Sequence, residues 1–224
     1  MSDFRYPQFC ALARAAELLG ERWTLPIVRE LFVGPQRFTD LLRRLPGLSS
    51  SVLAARLDRL GRAGVIVQRT LPPPAASLVY ELTDRGRALQ PVLRELMRWG
   101  LGLLGPPGRD HIEPDWPVLA LETLARREAT PRRSFELRIA RRGEEPVVMH
   151  CRGGPGGTRV ARGPAPGAVD LRIDAPPLLV LGLASGAVPA RDARGHPQVS
   201  LAGDAAALTD LPRLFDLESA HTKE

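Results

Sequence analysis

The stretch SSSVLAARLDRLGRAG (residues 49–64) sets three hydroxyls ahead of a run whose charged side chains are mostly arginine. Hydroxyls and guanidiniums are the groups that bond phosphate oxygens and base edges. Ser49, Ser50 and Ser51 stand where helix N-caps favour hydroxyls. Leu53, Leu57 and Leu60 recur at i, i+4 and i+7 as one core-facing stripe, and Gly64 lies where a helix stops in the left-handed conformation. The remaining face holds Ser51, Val52, Ala55, Arg56 and Arg59, small near the helix start and cationic further on. Such a helix can press its N-terminal end into a groove while its arginines reach outward. An ordinary solvated surface is the alternative these residues alone leave open.

Nothing is spaced for catalysis or metal. Cys10 and Cys151 lie far apart, and His111, His150, His196 and His221 show no ligand spacing, so neither metal nor cofactor is expected. His150 and Cys151 are adjacent, but neighbours on a strand point to opposite faces. The glycines of RGGPGGTRV (152–160) lack the GK[ST] and the opening helix of a phosphate loop, and read as a turn between strands. The chain is not expected to be an enzyme.

With 224 residues, 44% hydrophobic and 25% charged, the chain reads as globular, one large or two small domains. No apolar run approaches the ~18 residues of a spanning helix, so no membrane partner is expected. The start MSDFRYPQF has no secretory pattern, which makes the cytoplasm the default location. The net charge of +6 is uneven: residues 1–105 carry 15 arginines against nine acids, residues 106–224 carry 16 basic and 16 acidic side chains. A basic half whose cations are all arginine, beside a neutral half, points to nucleic acid.

The elements that must carry the quoted helix flank it. FCALARAAELLG (9–20) puts Leu12, Ala15, Ala16 and Leu19 on one stripe and ends at Gly20. WTLPIVREL (23–31) follows, with Pro26 tolerated in the first turn. RFTDLLRRL (37–45) is a third helix, stopped by Pro46-Gly47. After the fourth, VIVQRT (65–70) and SLVYELT (77–83) read as strands joined by a proline-stiffened loop, LPPPAA. Thr83 or Asp84 caps a last helix, roughly 85–104, with Leu89, Val92, Leu93, Leu96 and Met97 apolar. Four helices, strand, loop, strand, helix is the order of a winged helix-turn-helix, with PGLS as its short turn. In that arrangement 37–45 supports and 49–61 enters the major groove of double-stranded DNA with its N-terminal part leading. Small Ala55 lets the backbone come close, and Arg56 and Arg59 can reach phosphate or guanine.

Residues 9–100 resemble the HxlR-type winged-helix regulators of bacteria. The resemblance is carried by Cys10, GERWTLPIVREL, GPQRFTDLLRRLPGLSSSVLAARLDRLGRAGVIVQR, VYELTDRG and the closing RWG. It implies a homodimer, built largely by the first and last helices, on an inverted-repeat operator, with Arg37, the serines and the fourth-helix arginines facing DNA. Two features depart from the family. The wing LPPPAAS lacks the arginine often found there, which removes the usual minor-groove reader. Cys10 lacks the proline that commonly follows it. In some relatives this cysteine senses oxidants, which makes Cys10 the candidate redox residue; its own surroundings read as those of a buried small residue on the first helix.

Proline and glycine crowd LGPPGRDHIEPDWP (104–117), placing a boundary near residue 110. The domains are read as 1–107, winged helix for DNA binding and dimerisation, and 114–218, ligand or sensor domain. In the second, PVLALETLARR (117–127) is an apolar helix. SFELRIARR (134–142), EPVVMHCRG (145–153), TRVARG (158–163) and AVDLRID (168–174) alternate and read as an antiparallel meander. APPLLVLGLASG (175–186) is an apolar helix, QVSLAGD (198–204) a strand, and DAAALTDLPRLFDL (204–217) an amphipathic helix. The fold class is α+β, one sheet with helices on one side. The order DLRIDAPPLLVLGLASGAV, then VSLAGDAAALTDLPRLF, resembles the sterol-carrier-protein-like fold over about 117–217. That resemblance implies an apolar cavity between sheet and helices, taking a hydrophobic small molecule. Its candidate lining is Trp116, Phe135, Leu137, Val148, Leu179, Leu183 and Phe215; plain core is the alternative for such residues.

The chain therefore reads as a homodimeric DNA-binding transcriptional regulator, a repressor, modulated by a hydrophobic small-molecule effector. The alternative is a lipid or hydrophobe carrier whose helical half serves dimerisation.

Overall fold

In a computed structural model, residues 5–74, 76–105, 108–141 and 143–216 are described. Ala75 of the wing loop, Pro106 and Pro107 of the boundary, Arg142 at the end of a strand and Leu217 at the end of the last helix, all used in the sequence reading, therefore lie outside the described residues, as do His221 and the first four residues of MSDFRYPQF. The chain divides into two compact units, Met1–Glu95 and Leu96–Glu224.

The helical periodicity of the first unit folds as α1 (Ala11–Leu19), α2 (Thr24–Val33), α3 (Phe38–Arg44) and α4 (Ser50–Arg62), followed by β1 (Ile66–Thr70) and β2 (Leu78–Leu82). The two strands pair antiparallel, Ile66 opposite Leu82 and Thr70 opposite Leu78. Gln36, between α2 and α3, exchanges both backbone hydrogen bonds with Tyr80 of β2, so the helices are stitched to the wing. Ile27, Leu31, Leu41, Leu53, Leu57 and Leu60 form the centre of one apolar core with Val65 and Leu82. Burying each such side chain is worth about 1.5–3 kcal/mol. The α1 stripe differs from expectation: α1 buries Ala13 and leaves Leu12 and Ala15 exposed.

The last helix of this half, expected unbroken over 85–104, is two: α5 (Asp84–Arg87) and α6 (Gln90–Leu101). Thr83 Oγ1 accepts from the Gly86 amide at 3.1 Å and donates to the Gly64 carbonyl at 2.6 Å, which ties α5 to the end of α4. Gly86 is pressed on the backbone; a Cβ there would lie 2.2 Å from the Val65 carbonyl oxygen. Pro91 cannot donate back to a preceding turn and is suited to the first turn of a new helix.

In the second unit α7 (Asp115–Leu124) precedes β3 (Ser134–Arg141), β4 (Glu144–Arg152), β5 (Arg159–Arg162) and β6 (Leu171–Ala175). Then come α8 (Pro177–Ser185), α9 (Ala190–Ala193), β7 (Ser200–Gly203) and a 3-10 helix, Ala205–Leu214. The sheet order is β5-β4-β3-β6-β7. The expected antiparallel meander is corrected, because β3 and β6 run parallel, Phe135 opposite Leu171 and Ile139 opposite Ala175. Residues 163–170 make this possible by crossing one sheet face. The Gly163 amide donates to Val148 O at 2.8 Å, the Ala165 amide to Glu136 Oε2 at 3.0 Å, and the Asp170 amide to Ser134 O at 3.0 Å. The other face carries Phe135, Leu137, Ile139, Met149, Cys151, Leu171 and Ile173, buried under α7, α8 and the 3-10 helix. That closing element is a 3-10 helix, with Pro212 inside it. The α+β class with a winged-helix region and a sheet-bearing second part is thus present. No helix among the described residues is long and apolar enough to cross a membrane.

Candidate nucleic-acid interface

The turn between α3 and α4 sets the tip of α4. The Leu48 amide closes back on the Leu45 carbonyl at 3.1 Å, and Gly47 takes φ 86°, a left-handed value that glycine adopts freely. Ser49 is the N-cap: its Oγ accepts from the Val52 amide at 3.3 Å and lies 3.2 Å from Ser51 Oγ. Ser49, Ser50 and Ser51 are exposed, Val52 and Ala55 half-buried, while Leu53, Leu57 and Leu60 are sealed in the core. The remaining first-turn amides and the positive end of the helix dipole therefore face outward, a setting that favours phosphate. Ala54 is also exposed on this tip. The sequence reading missed it, although it follows from rotating away from the leucine stripe.

Arg37 is exposed at the N-cap of α3, and its Nε donates to Ser77 Oγ at 3.0 Å. That bond holds the guanidinium beside the base of the wing. On the wing itself Arg69 forms a two-bonded pair with Glu81, at 3.0 and 2.9 Å. This pairing holds the Glu81 carboxyl below its ordinary range.

Arg56 and Arg59 do not reach outward, and that expectation is corrected. Both pair with Glu21, in the turn between α1 and α2. Arg56 Nε also donates to the Arg22 carbonyl at 3.1 Å, and Arg59 Nη2 to the Glu17 carbonyl at 2.7 Å. Their side chains are 12% and 20% exposed, too covered to search a groove. One carboxylate between two guanidiniums explains the arrangement, and Glu21 was the signal not used. A second buried pair braces α3: Arg44 Nε donates to Glu30 Oε2 at 2.6 Å, with Arg29 on Oε1 at 2.9 Å.

Cys10 is exposed at the N-cap of α1, which corrects its reading as a buried residue. Cys151 is the buried one, and desolvation raises its thiol to about 12. His150, on the other face of β4, has Nδ1 3.1 Å from the Gly163 carbonyl oxygen.

The seven candidate lining residues of the second unit do not meet around one space. Phe135, Leu137, Leu183 and Phe215 are packed in the core, with Leu179 against it. Val148 sits opposite Arg138 in the register, on the face away from that core. Trp116 is half-buried at the start of α7, edge-on to His111 at 5.7 Å. The sequence misplaced Val148 because Val147, Val148 and Met149 are consecutive apolar residues, which hides the alternation.

The family model described as HxlR-like helix-turn-helix matches residues 18–106. The uncharacterized HTH-type transcriptional regulator YvaP of Bacillus subtilis is 38% identical over 93 residues, 42% of this chain and 86% of that protein. The HTH-type transcriptional regulator YodB of the same organism is 36% identical over 85 residues, 38% of this chain and 76% of that protein. The solved reduced form of YodB aligns at a TM-score of 0.38 and 33% identity, covering 45% of this chain and 99% of that one. These relatives are transcriptional regulators, not enzymes.

Proposed function

This chain belongs to the HxlR-like helix-turn-helix family, and on that premise we propose that it is a sequence-specific transcriptional repressor. It binds double-stranded DNA as a homodimer on an inverted-repeat operator. The observation that carries the reading is the tip of α4: capped by Ser49, open at Ser50 and Ser51, and anchored from below by Leu53, Leu57 and Leu60. Ser49, Ser50, Ser51, Val52, Ala55 and Arg37 make the DNA contacts, while Arg56 and Arg59 hold α4 in place.

Selection of bound fragments from random duplexes tests this directly. An enriched motif with two symmetric half-sites is expected, with Ser50→Glu and Ser51→Glu each weakening binding at least about tenfold at unchanged melting temperature. Failure to enrich any motif, or glutamate variants that bind as the parent does, would end the assignment. Repression is read separately, by a reporter placed behind the selected motif.

Dimerisation is assigned to the first and last helices. Phe9 and Leu12 at α1, and Val92, Leu96 and Trp99 on α6, are large apolar side chains left exposed. Exposed apolar surface of this kind marks association. A monomeric sedimentation coefficient at micromolar concentration would remove this part of the proposal.

The domains are placed at 1–107 and 114–218, the second as a sterol-carrier-like sensor of a hydrophobic small molecule. Its support is a sheet with helices on one face and a groove of about 230 Å³ lined by Leu183, Val188, Leu208 and Pro212. Native mass spectrometry of the purified chain tests it: a bound hydrophobe whose removal changes operator affinity supports a sensor. A bound hydrophobe with no enriched DNA motif supports the carrier alternative instead.

A further inference from the structure

We propose that the end of the sheet in the second unit holds a binding site for a small multivalent oxyanion. A cleft of about 280 Å³ there is lined by Arg132, Arg133, Ser134, Arg152, the Gly153–Gly154 turn and Asp170. The register sets Arg152 of β4 directly opposite Arg159 of β5 and beside Ser134 of β3. Two like charges facing each other across a ladder repel. Among the described residues the side chains of these two arginines and of Arg132 have neither an acidic partner nor a hydrogen bond, and all three residues are exposed. Elsewhere in this half the sheet pairs its charges: Arg172 with Glu136 at 2.8 Å, Arg138 with Asp174 at 3.0 Å. Among the described arginines on the strands of this sheet, Arg152 and Arg159 are therefore the two without an acidic partner.

The acids nearest the cleft are already committed. Asp170 Oδ2 accepts from the Ser134 amide and hydroxyl, both at 2.7 Å. Arg133 turns to Asp210 at 2.9 Å. The floor is built rather than loose. A Cβ on Gly153 would lie 2.2 Å from the Pro131 carbonyl oxygen, and one on Gly157 2.5 Å from that of Arg126. The amides of Gly153 and Gly154 are spent on the Arg133 carbonyl and Thr130 Oγ1, at 2.8 and 3.0 Å. The turn is thus a rigid wall and not a nest of donors, so recognition falls to the guanidinium forks of Arg132 and Arg152. These forks match the paired oxygens of phosphate or carboxylate. A small ligand fits better than a nucleic-acid backbone because the cleft is concave and residues 106–224 balance 16 basic against 16 acidic side chains.

The test is a titration of the nitrogen-15-labelled full chain with pyrophosphate and, separately, citrate, at constant ionic strength against a sodium chloride control. Saturation by one of them with a dissociation constant below about 1 mM is expected, with shifts confined to the Arg132 and Arg152 Nε–H groups and the amides around Gly153. Saturation by pyrophosphate identifies a phosphate-bearing ligand, saturation by citrate a polycarboxylate. Arg152→Gln should weaken binding about tenfold, while Arg191→Gln leaves it unchanged. Folding is not at risk, since Arg152→Gln removes a repulsion. Shifts that track chloride without saturating, equal binding by Arg152→Gln, or the same signals moved only by duplex DNA would each overturn the site. None of these readouts depends on operator recognition.

Discussion

Two thiols in one chain separate by environment alone. Cys10 stands in solvent at the start of α1, whereas Cys151 is enclosed under the helices of the second unit with its thiol raised to about 12. Because only the thiolate attacks, a thiol held that high is neutral at pH 8. An aromatic disulfide reagent at pH 8 is therefore expected to titrate one thiol quickly in the native protein and the second only after denaturant is added. The guanidiniums of Arg56 and Arg59 offer a second contrast. A base-reading arginine, once removed, loses affinity for the right sequence only. These two are held by Glu21, so Arg56→Ala or Arg59→Ala should weaken matched and scrambled duplexes by the same factor. Each should also lower unfolding stability by about 1 kcal/mol, read from urea melts.

At the level of elements, α3 is fixed to α2 by the shared apolar core of Ile27, Leu31 and Leu41 and by one buried ionic cluster. Glu30 is fully buried and accepts from both Arg29 and Arg44. Removing one member of a buried pair strands its partner's charge, at a cost of about 3–5 kcal/mol. Glu30→Ala should destabilise the first unit by that order in a urea titration, with Glu30→Gln falling between it and the parent. None of this was visible in the sequence, where Glu30 reads as one more charged residue among amphipathic helices. What was visible was local: leucines at helical spacing in 50–62, the Ser49 cap, the β-branched runs at 65–70 and 77–83, and the apolar run of 177–185. What was not visible needed partners distant in sequence. Alternating residues such as Phe135, Leu137 and Ile139 pair equally well in either direction, so the parallel β3–β6 ladder was read as a meander. The split of 85–104 had a local cause in Gly86 and Pro91, and there the apolar periodicity of Leu89, Val92, Leu93 and Leu96 outweighed the breakers.

Across the whole molecule the charge is divided by task. The arginine excess lies in residues 1–105, so operator binding should fall steeply with added salt as phosphate counterions are released. Among the described residues most acids of the balanced half are paired internally, and low pH exposes that difference. The Ala165 amide and Arg172 hold the Glu136 carboxyl below its ordinary range, the Ser134 hydroxyl and amide do so for Asp170, and Arg133 for Asp210. Each group is more acidic folded than unfolded. Its contribution is complete above the ordinary carboxylate values of about 4 and is lost as pH falls through the lower folded values. Amide exchange at Phe135, Leu137 and Ile173 should therefore be unchanged between pH 7 and pH 5 once corrected for intrinsic rates, then lose protection below pH 4. Glu136→Gln should show a smaller loss over the acid range, because glutamine has no proton to gain. Equal acid sensitivity in parent and variant would mean that the carboxylate beneath the 163–170 crossover does not hold the sheet together.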